Sequence, residues 1–233
     1  MIESSERVDA REKVTGQALY TEDVQLPIGT LFCSIARSLY SHARIRSINT
    51  EKAEQLPGVR AVISRNQLKD MKGMEHRSRP FMATEKVRFQ GEPVAGVAAD
   101  SLVIARQAVD LIEVEYEELP AVFDVRDSLK PDAPLVHEER GSNYVGEFKF
   151  GWGDLERGFR ESERVFEANY FFPTVFHYPI ENIGICVAQV RSGEIELFAP
   201  TQHPFTARRE IAELFDVRPE NIRVRMPYVG GGF

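Results

Sequence analysis

Thr201-Gln202-His203-Pro204, Ile222-Arg223-Val224-Arg225-Met226 and Gly230-Gly231-Gly232-Phe233 are the stretches on which the reading of this chain turns. Pro204 suits an early helical position, because the first N–H groups of a helix have no internal acceptor. Ala207, Ile211, Leu214 and Phe215 then recur on one helical face, with Arg208, Arg209, Glu210 and Glu213 on the opposite, solvated one. The run from Ile222 reads as a strand. Three glycines after a strand have two readings. One is a flexible C-terminal tail; the other is a loop whose N–H groups approach an anion closely because no Cβ intervenes.

Upstream, Gly184-Ile185-Cys186-Val187-Ala188-Gln189-Val190 and Glu194-Ile195-Glu196-Leu197-Phe198 flank Arg191-Ser192-Gly193, the signature of a β-hairpin. Arg164 to Phe171 reads as a further strand. The polar, proline-bearing stretch from Lys130 to Asn143 is the linker candidate. Before it, short strands alternate with helices: Leu31–Ala36, Arg60–Ile63, Val94–Ala99 and Glu113–Glu117 read as strands. Thr50 is placed to cap a short helix that ends at Leu56-Pro57-Gly58. Ser101 is placed to cap a second helix with Leu102, Ala105, Val109 and Ile112 on one face.

The chain has 233 residues, 42% hydrophobic and 28% charged, which is ordinary for a globular protein with a sizeable core. A formal net charge of −7 argues against nucleic acid as a partner, since a phosphate backbone demands a basic face. No apolar run approaches the ~18 residues that a membrane span needs, and the polar opening from Met1 to Arg7 is unlike a secretory signal. A cytoplasmic location is the expectation, with no membrane partner. Cys33 and Cys186 sit in apolar runs and are expected as buried free thiols. No CxxC pattern is present, so no iron–sulfur cluster is expected in this chain.

Several motifs occur in an order that resembles one family. Gly16-Gln17-Ala18-Leu19-Tyr20-Thr21-Glu22-Asp23, Ser41-His42-Ala43-Arg44-Ile45, Leu56-Pro57-Gly58-Val59 and Gly91-Glu92-Pro93-Val94-Ala95 resemble the a/b hammerhead domain of the molybdenum hydroxylases, the xanthine dehydrogenase and aldehyde oxidase family. Gly153-Asp154, His177-Tyr178-Pro179-Ile180-Glu181, Thr201-Gln202 and Gly230 to Phe233 resemble the start of its first molybdopterin-binding domain. The resemblance implies an α+β fold with a tail over 1–13, a hammerhead domain over 14–122, a linker over 123–143 and a partial molybdopterin-binding domain over 144–233. It also implies a molybdenum–molybdopterin cofactor and hydroxylation of N-heterocycles, purines or aldehydes with oxygen taken from water.

By that resemblance Gln202 matches a glutamine that hydrogen-bonds an oxo ligand of molybdenum, a role suited to a neutral amide donor. Gly231, Gly232 and Phe233 match the loop that passes beside the cofactor, with Gln202 and Phe233 adjacent to the metal through its ligands. No side chain is expected to ligate the metal, and no catalytic residue is expected in this chain, because the family's base lies in a later segment. His177 and Glu181 read as orienting or structural groups rather than as a general base. His42, His76, His137 and His203 show no metal-ligand spacing.

The chain is expected to be incompetent alone. Its implied partners are the remainder of the molybdopterin subunit, iron–sulfur and FAD subunits, and a small-molecule substrate. The competing reading is a non-catalytic assembly or interaction module derived from the same family.

Overall fold

A computed structural model describes residues 7–68, 80–182 and 186–232 of the chain. In chain order its elements are α1 (Ala10–Thr15), β1 (Phe32–Arg37), β2 (Ala43–Asn49), α2 (Glu51–Glu54), β3 (Val59–Ser64), α3 (Arg65–Leu68), β4 (Lys86–Val87) and β5 (Pro93–Ala99). They continue as α4 (Leu102–Asp110), β6 (Glu113–Glu118), α5 (Leu155–Glu161), β7 (Val187–Arg191), β8 (Glu194–Phe198), α6 (Pro204–Phe215) and β9 (Ile222–Arg225). Two units emerge: Met1–Ala121 together with Pro179–Phe233, and Val122–Tyr178.

In the first unit β5 is a central strand, antiparallel to both β1 and β3. Glycine at 96 leaves room for its cross-strand neighbour on β3: a Cβ there would lie 3.2 Å from Ile63 Cγ2. A second sheet, ordered β4-β2-β6, is also antiparallel. Ala36, Ala43, Ile45, Ala83, Val87, Val94 and Ala95 form one buried cluster, and Val97, Ala53 and Ala108 a second, so α2 and α4 cover the β5 sheet. The alternation in β6 works as the sequence predicts: Val114 and Tyr116 join the core, while Glu113, Glu115 and Glu117 stay exposed.

Helix starts follow from local hydrogen bonding. Ser101 Oγ accepts from the Ile104 N–H at 3.2 Å, satisfying one orphan donor of α4. Ser101→Ala is expected to cost about 1 kcal/mol, read as a lower midpoint of thermal unfolding. The buried side of α4 is Ala105 and Ala108, backed by Val109 and Ile112, whereas the expected Leu102 is exposed. At α2 the cap shifts by one residue. Asn49 Oδ1 accepts the Glu51 N–H at 3.0 Å, and the Thr50 hydroxyl instead donates to the Glu54 carboxylate at 2.6 Å.

The thiols depart from expectation. Cys33 and Cys186 are both free and exposed, not buried. On β1 the side chains alternate: Ser34 and Ala36 turn toward the core, while Cys33 shares the exposed face with Ile35 and Arg37. Partial burial of its sulfur, and then the charge of Cys33, push the Cys186 thiol above its ordinary pKa. A raised pKa leaves less thiolate at pH 8, so iodoacetamide should alkylate Cys186 more slowly than free cysteine. The gap should narrow as pH rises, with mass spectrometry as the readout. Equal rates at pH 8 would contradict the assignment.

The second unit is held by short-range polar contacts. Asp124 Oδ1 accepts from the N–H groups of Arg126 and Asp127 at 2.7 and 3.2 Å, which holds its carboxyl below the usual carboxylate range. Asn143 ties the proline-bearing stretch together: Nδ2 donates to the carbonyls of Ser128 and Pro134, and Oδ1 accepts from the Val136 N–H. Gly153, at φ +73°, turns the chain so that Asp154 Oδ1 accepts the Arg157 N–H at 2.9 Å and starts α5. The expected strand over Arg164–Phe171 is not formed. Its β-branched and aromatic residues favour a strand, but no strand among the described residues pairs with it, and Val165, Phe166, Tyr170 and Phe171 are exposed. Strand propensity without a ladder partner does not satisfy the backbone.

Candidate functional site

β7 and β8 form an antiparallel hairpin whose central residues Ser192 (φ +52°) and Gly193 (φ +83°) both take the left-handed conformation that matches strand twist. β8 then runs through α6 to β9, which lies parallel to it with Ile195 opposite Ile222 and Phe198 opposite Arg225. The pairing extends past the strand through the Ala199 N–H and the Arg225 carbonyl at 3.1 Å. Both strands therefore end on the same side of the sheet. The segment after β8 carries Gln202, and the segment after β9 carries the glycines. Loops at the carboxyl ends of adjacent parallel strands are where α/β architectures gather ligand contacts.

The two segments meet. Gln202 Nε2 donates to the Gly232 carbonyl at 3.1 Å. A Cβ at Gly232 would fall on the Gln202 amide, so the contact depends on glycine at 232. Neither Gly230 nor Gly232 has a positive φ; the loop uses glycine for close approach rather than for left-handed backbone. Gln202 precedes α6 directly: the Thr201 hydroxyl accepts the His203 N–H at 3.1 Å, and Pro204 occupies the first helical turn. Gln202 and Gly232 are exposed and Gly231 is half-buried. Phe233 lies outside the described residues, as does His76.

Glu181 sits behind the loop and is 9% exposed. Its Oε2 accepts the Gly230 N–H at 2.5 Å, and its Oε1 accepts the Thr21 N–H at 3.4 Å. Next to it, Asn182 Nδ2 donates to Glu22 Oε1 at 2.7 Å, and the Tyr228 N–H donates to the Leu19 carbonyl at 3.1 Å. Sequence reasoning missed this junction. Thr21, Glu181 and Gly230 each fall in a quoted motif, but nothing local signals a bond across 160 positions. His177 is exposed in the second unit. His42 is buried, with Nδ1 2.5 Å from the Pro120 carbonyl.

An open cleft of about 950 Å³ lies beside the approach to the loop, lined among others by Lys13, Tyr20, Phe198, Arg225 and Tyr228. It includes neither Gln202 nor the three glycines. Among the described residues, no group of three His, Cys, Asp or Glu side chains is placed to hold a metal ion. No helix among them is long and apolar enough to cross a membrane.

Residues 15–120 match the model for the aldehyde oxidase and xanthine dehydrogenase a/b hammerhead domain, and residues 136–233 match that for the molybdopterin cofactor-binding domain. The chain belongs to the molybdenum hydroxylase family. Its α+β fold is a hammerhead domain followed by molybdopterin-binding domain sequence. A probable xanthine dehydrogenase component of Bacillus subtilis is 36% identical, over 97% of this chain and 30% of that protein. The carbon monoxide dehydrogenase large chain of Afipia carboxidovorans is 34% identical, over 97% of this chain and 30% of its own length. The crystal structure of quinoline 2-oxidoreductase from Pseudomonas putida 86 superposes with a TM-score of 0.86 at 32% identity, covering 98% of this chain and 30% of that one. This molybdenum hydroxylase sequence thus spans about 30% of the length of these relatives.

Proposed function

We propose that the chain is the portion of a molybdenum hydroxylase catalytic subunit that presents Gln202, Gly231, Gly232 and Phe233 to a molybdenum–molybdopterin cofactor. The domain limits we assign are 14–122 for the hammerhead, 123–143 for the linker and 144–233 for the cofactor-binding part. The reading rests on one observation: the Gln202 amide and the Gly232 carbonyl, 30 residues apart in sequence, are brought within 3.1 Å at the ends of two parallel strands.

The residues present fit such a group. A primary amide carries two N–H donors, and only one is needed for Gly232; the second is the donor an oxygen of the cofactor would take. Gly230 and Gly232 lack the Cβ that would hold a ligand away from the backbone. The nearby Glu181 carboxylate receives two backbone N–H groups, which offsets its charge toward an anionic neighbour. When bound, the cofactor supplies two-electron hydroxylation with oxygen derived from water. This chain's share is to hold and orient it.

The substrate is a small molecule of the N-heterocycle, purine or aldehyde class. Relatives named for xanthine, carbon monoxide and quinoline are similar to this chain over nearly all of its length. The remainder of the molybdopterin subunit completes the cofactor site, and iron–sulfur and FAD subunits carry away the electrons of each turnover.

Metal and pterin analysis tests the reading. The 233-residue chain alone is expected to hold far less than one molybdenum per chain, because only the Gln202 and glycine segments reach the cofactor. The complete subunit is expected to hold about one, with pterin in equal amount. A folded complete subunit with neither would overturn the proposal.

A further inference from the structure

Three segments that are remote in sequence meet on a single carboxylate. Glu181 receives the Gly230 N–H at 2.5 Å on one oxygen and the Thr21 N–H at 3.4 Å on the other. Thr21, 1% exposed, belongs to the hammerhead part, in a one-turn 3-10 helix over Thr21–Asp23. Gly230 opens the glycine loop, whose Gly232 carries the Gln202 contact two residues later. The fit at Gly230 is tight, since a Cβ there would lie 2.5 Å from Glu181 Cβ. A buried carboxylate is costly unless its oxygens are hydrogen-bonded, and here the two donors are backbone amides of the two parts being joined. A carboxylate suits this position because it is acceptor-only: neither oxygen has a proton to turn toward an incoming N–H.

We propose that Glu181 is a positioning residue: it ties the glycine loop to the Thr21 turn and thereby sets where the Gly232 carbonyl meets Gln202. The junction stands on the geometry alone; that it serves a cofactor rests on the function proposed above. Glutamine at 181 keeps the size but replaces one acceptor with a donor, so one of the two N–H groups must face another N–H. Aspartate keeps the charge but is one methylene short and cannot span both amides. Neighbouring contacts are separable from the latch. The Asn182–Glu22 bond ties the same segment to the same turn without touching the loop.

The test compares Glu181→Gln, Glu181→Asp and Asn182→Ala with the parent chain, by amide hydrogen exchange and by the NMR resonances of the Gln202 side-chain amide. Glu181→Gln should speed exchange at Gly230 by about tenfold or more, the scale set by losing a hydrogen bond to a charged acceptor. It should also shift the Gln202 amide resonances. Glu181→Asp should move both signals in the same direction. Asn182→Ala should leave both in place, even if it lowers the unfolding midpoint, and so separates positioning from general stability. If Glu181→Gln unfolds the chain, the aspartate variant decides the matter. Unchanged Gly230 exchange and unchanged Gln202 resonances in the folded Glu181 variants would overturn the proposal. So would an equal response from Asn182→Ala. None of these readouts requires bound molybdenum, so a failure of the latch and a failure of the cofactor reading are told apart.

Discussion

Gln202→Ala in the complete, molybdenum-loaded subunit is expected to lower turnover by roughly 10²–10³, the cost of deleting one preorganised donor that acts mainly in the transition state. Substrate binding should weaken much less, because the proposed role turns the amide toward the cofactor rather than the substrate. The fold should survive: Gln202 is exposed, and its only described hydrogen bond is the one to the Gly232 carbonyl. Water can replace that donor at a surface site, so the stability loss should stay near or below about 1 kcal/mol. Gln202→Glu is the sharper substitution. It places a carboxylate oxygen where the amide nitrogen stood, 3.1 Å from a carbonyl oxygen, so acceptor meets acceptor and the loop must move. It also directs negative charge toward an anionic cofactor. Glutamate should therefore be worse than alanine in both turnover and metal retention. Steady-state kinetics with molybdenum content measured first decide the issue. Normal turnover with full metal in both variants would place Gln202 outside the site.

How much of this was readable from residues alone depends on the range of each interaction. The hairpin at Ser192-Gly193 and the cap at Ser101 are settled within a few positions, and both form as the sequence indicates. The Asn49 cap is equally local, yet Thr50 is also a good capping type, and only geometry decides which side chain reaches the Glu51 N–H. Arg164–Phe171 fails as a strand for a different reason. Its residue types favour a strand, but a strand exists only when a second backbone lies beside it, and that is not encoded in the segment itself. Cys33 fails similarly, since an apolar run does not say which face of its strand is covered. At the site, the family resemblance pointed to Gln202 and the glycines. Why they meet follows from β8 and β9 being parallel, a pairing that neither strand's own residues specify. The Glu181 junction was beyond reach, because burial and bonding partners at Thr21 and Gly230 are tertiary facts.

The glycine loop offers the second large effect, because Gly230 and Gly232 are required for different reasons. Neither has a positive φ, so alanine is compatible with the backbone at both and only the space around the new methyl matters. At Gly230 that methyl would lie 2.5 Å from Glu181 Cβ and 3.6 Å from its Cα, the root of a buried side chain that no rotamer change moves. Gly230→Ala should thus cost about 1–3 kcal/mol as overpacking, which at this chain length lowers the unfolding midpoint by about 2–4 °C per kcal/mol. At Gly232 the methyl meets the outer atoms of Gln202, with Nε2 nearest, on a flexible and exposed side chain. Gln202 can swing away at little cost, so Gly232→Ala should leave stability nearly unchanged while evicting the amide from its place. In the loaded subunit it should then reproduce the turnover loss of Gln202→Ala. The decisive comparison is the double variant. If Gly232→Ala acts by displacing Gln202, adding Gln202→Ala should lower turnover little further, whereas independent roles would multiply the two losses. A multiplicative double variant would mean that the Gly232 backbone contributes to the site in its own right and that the contact between the two loops is incidental.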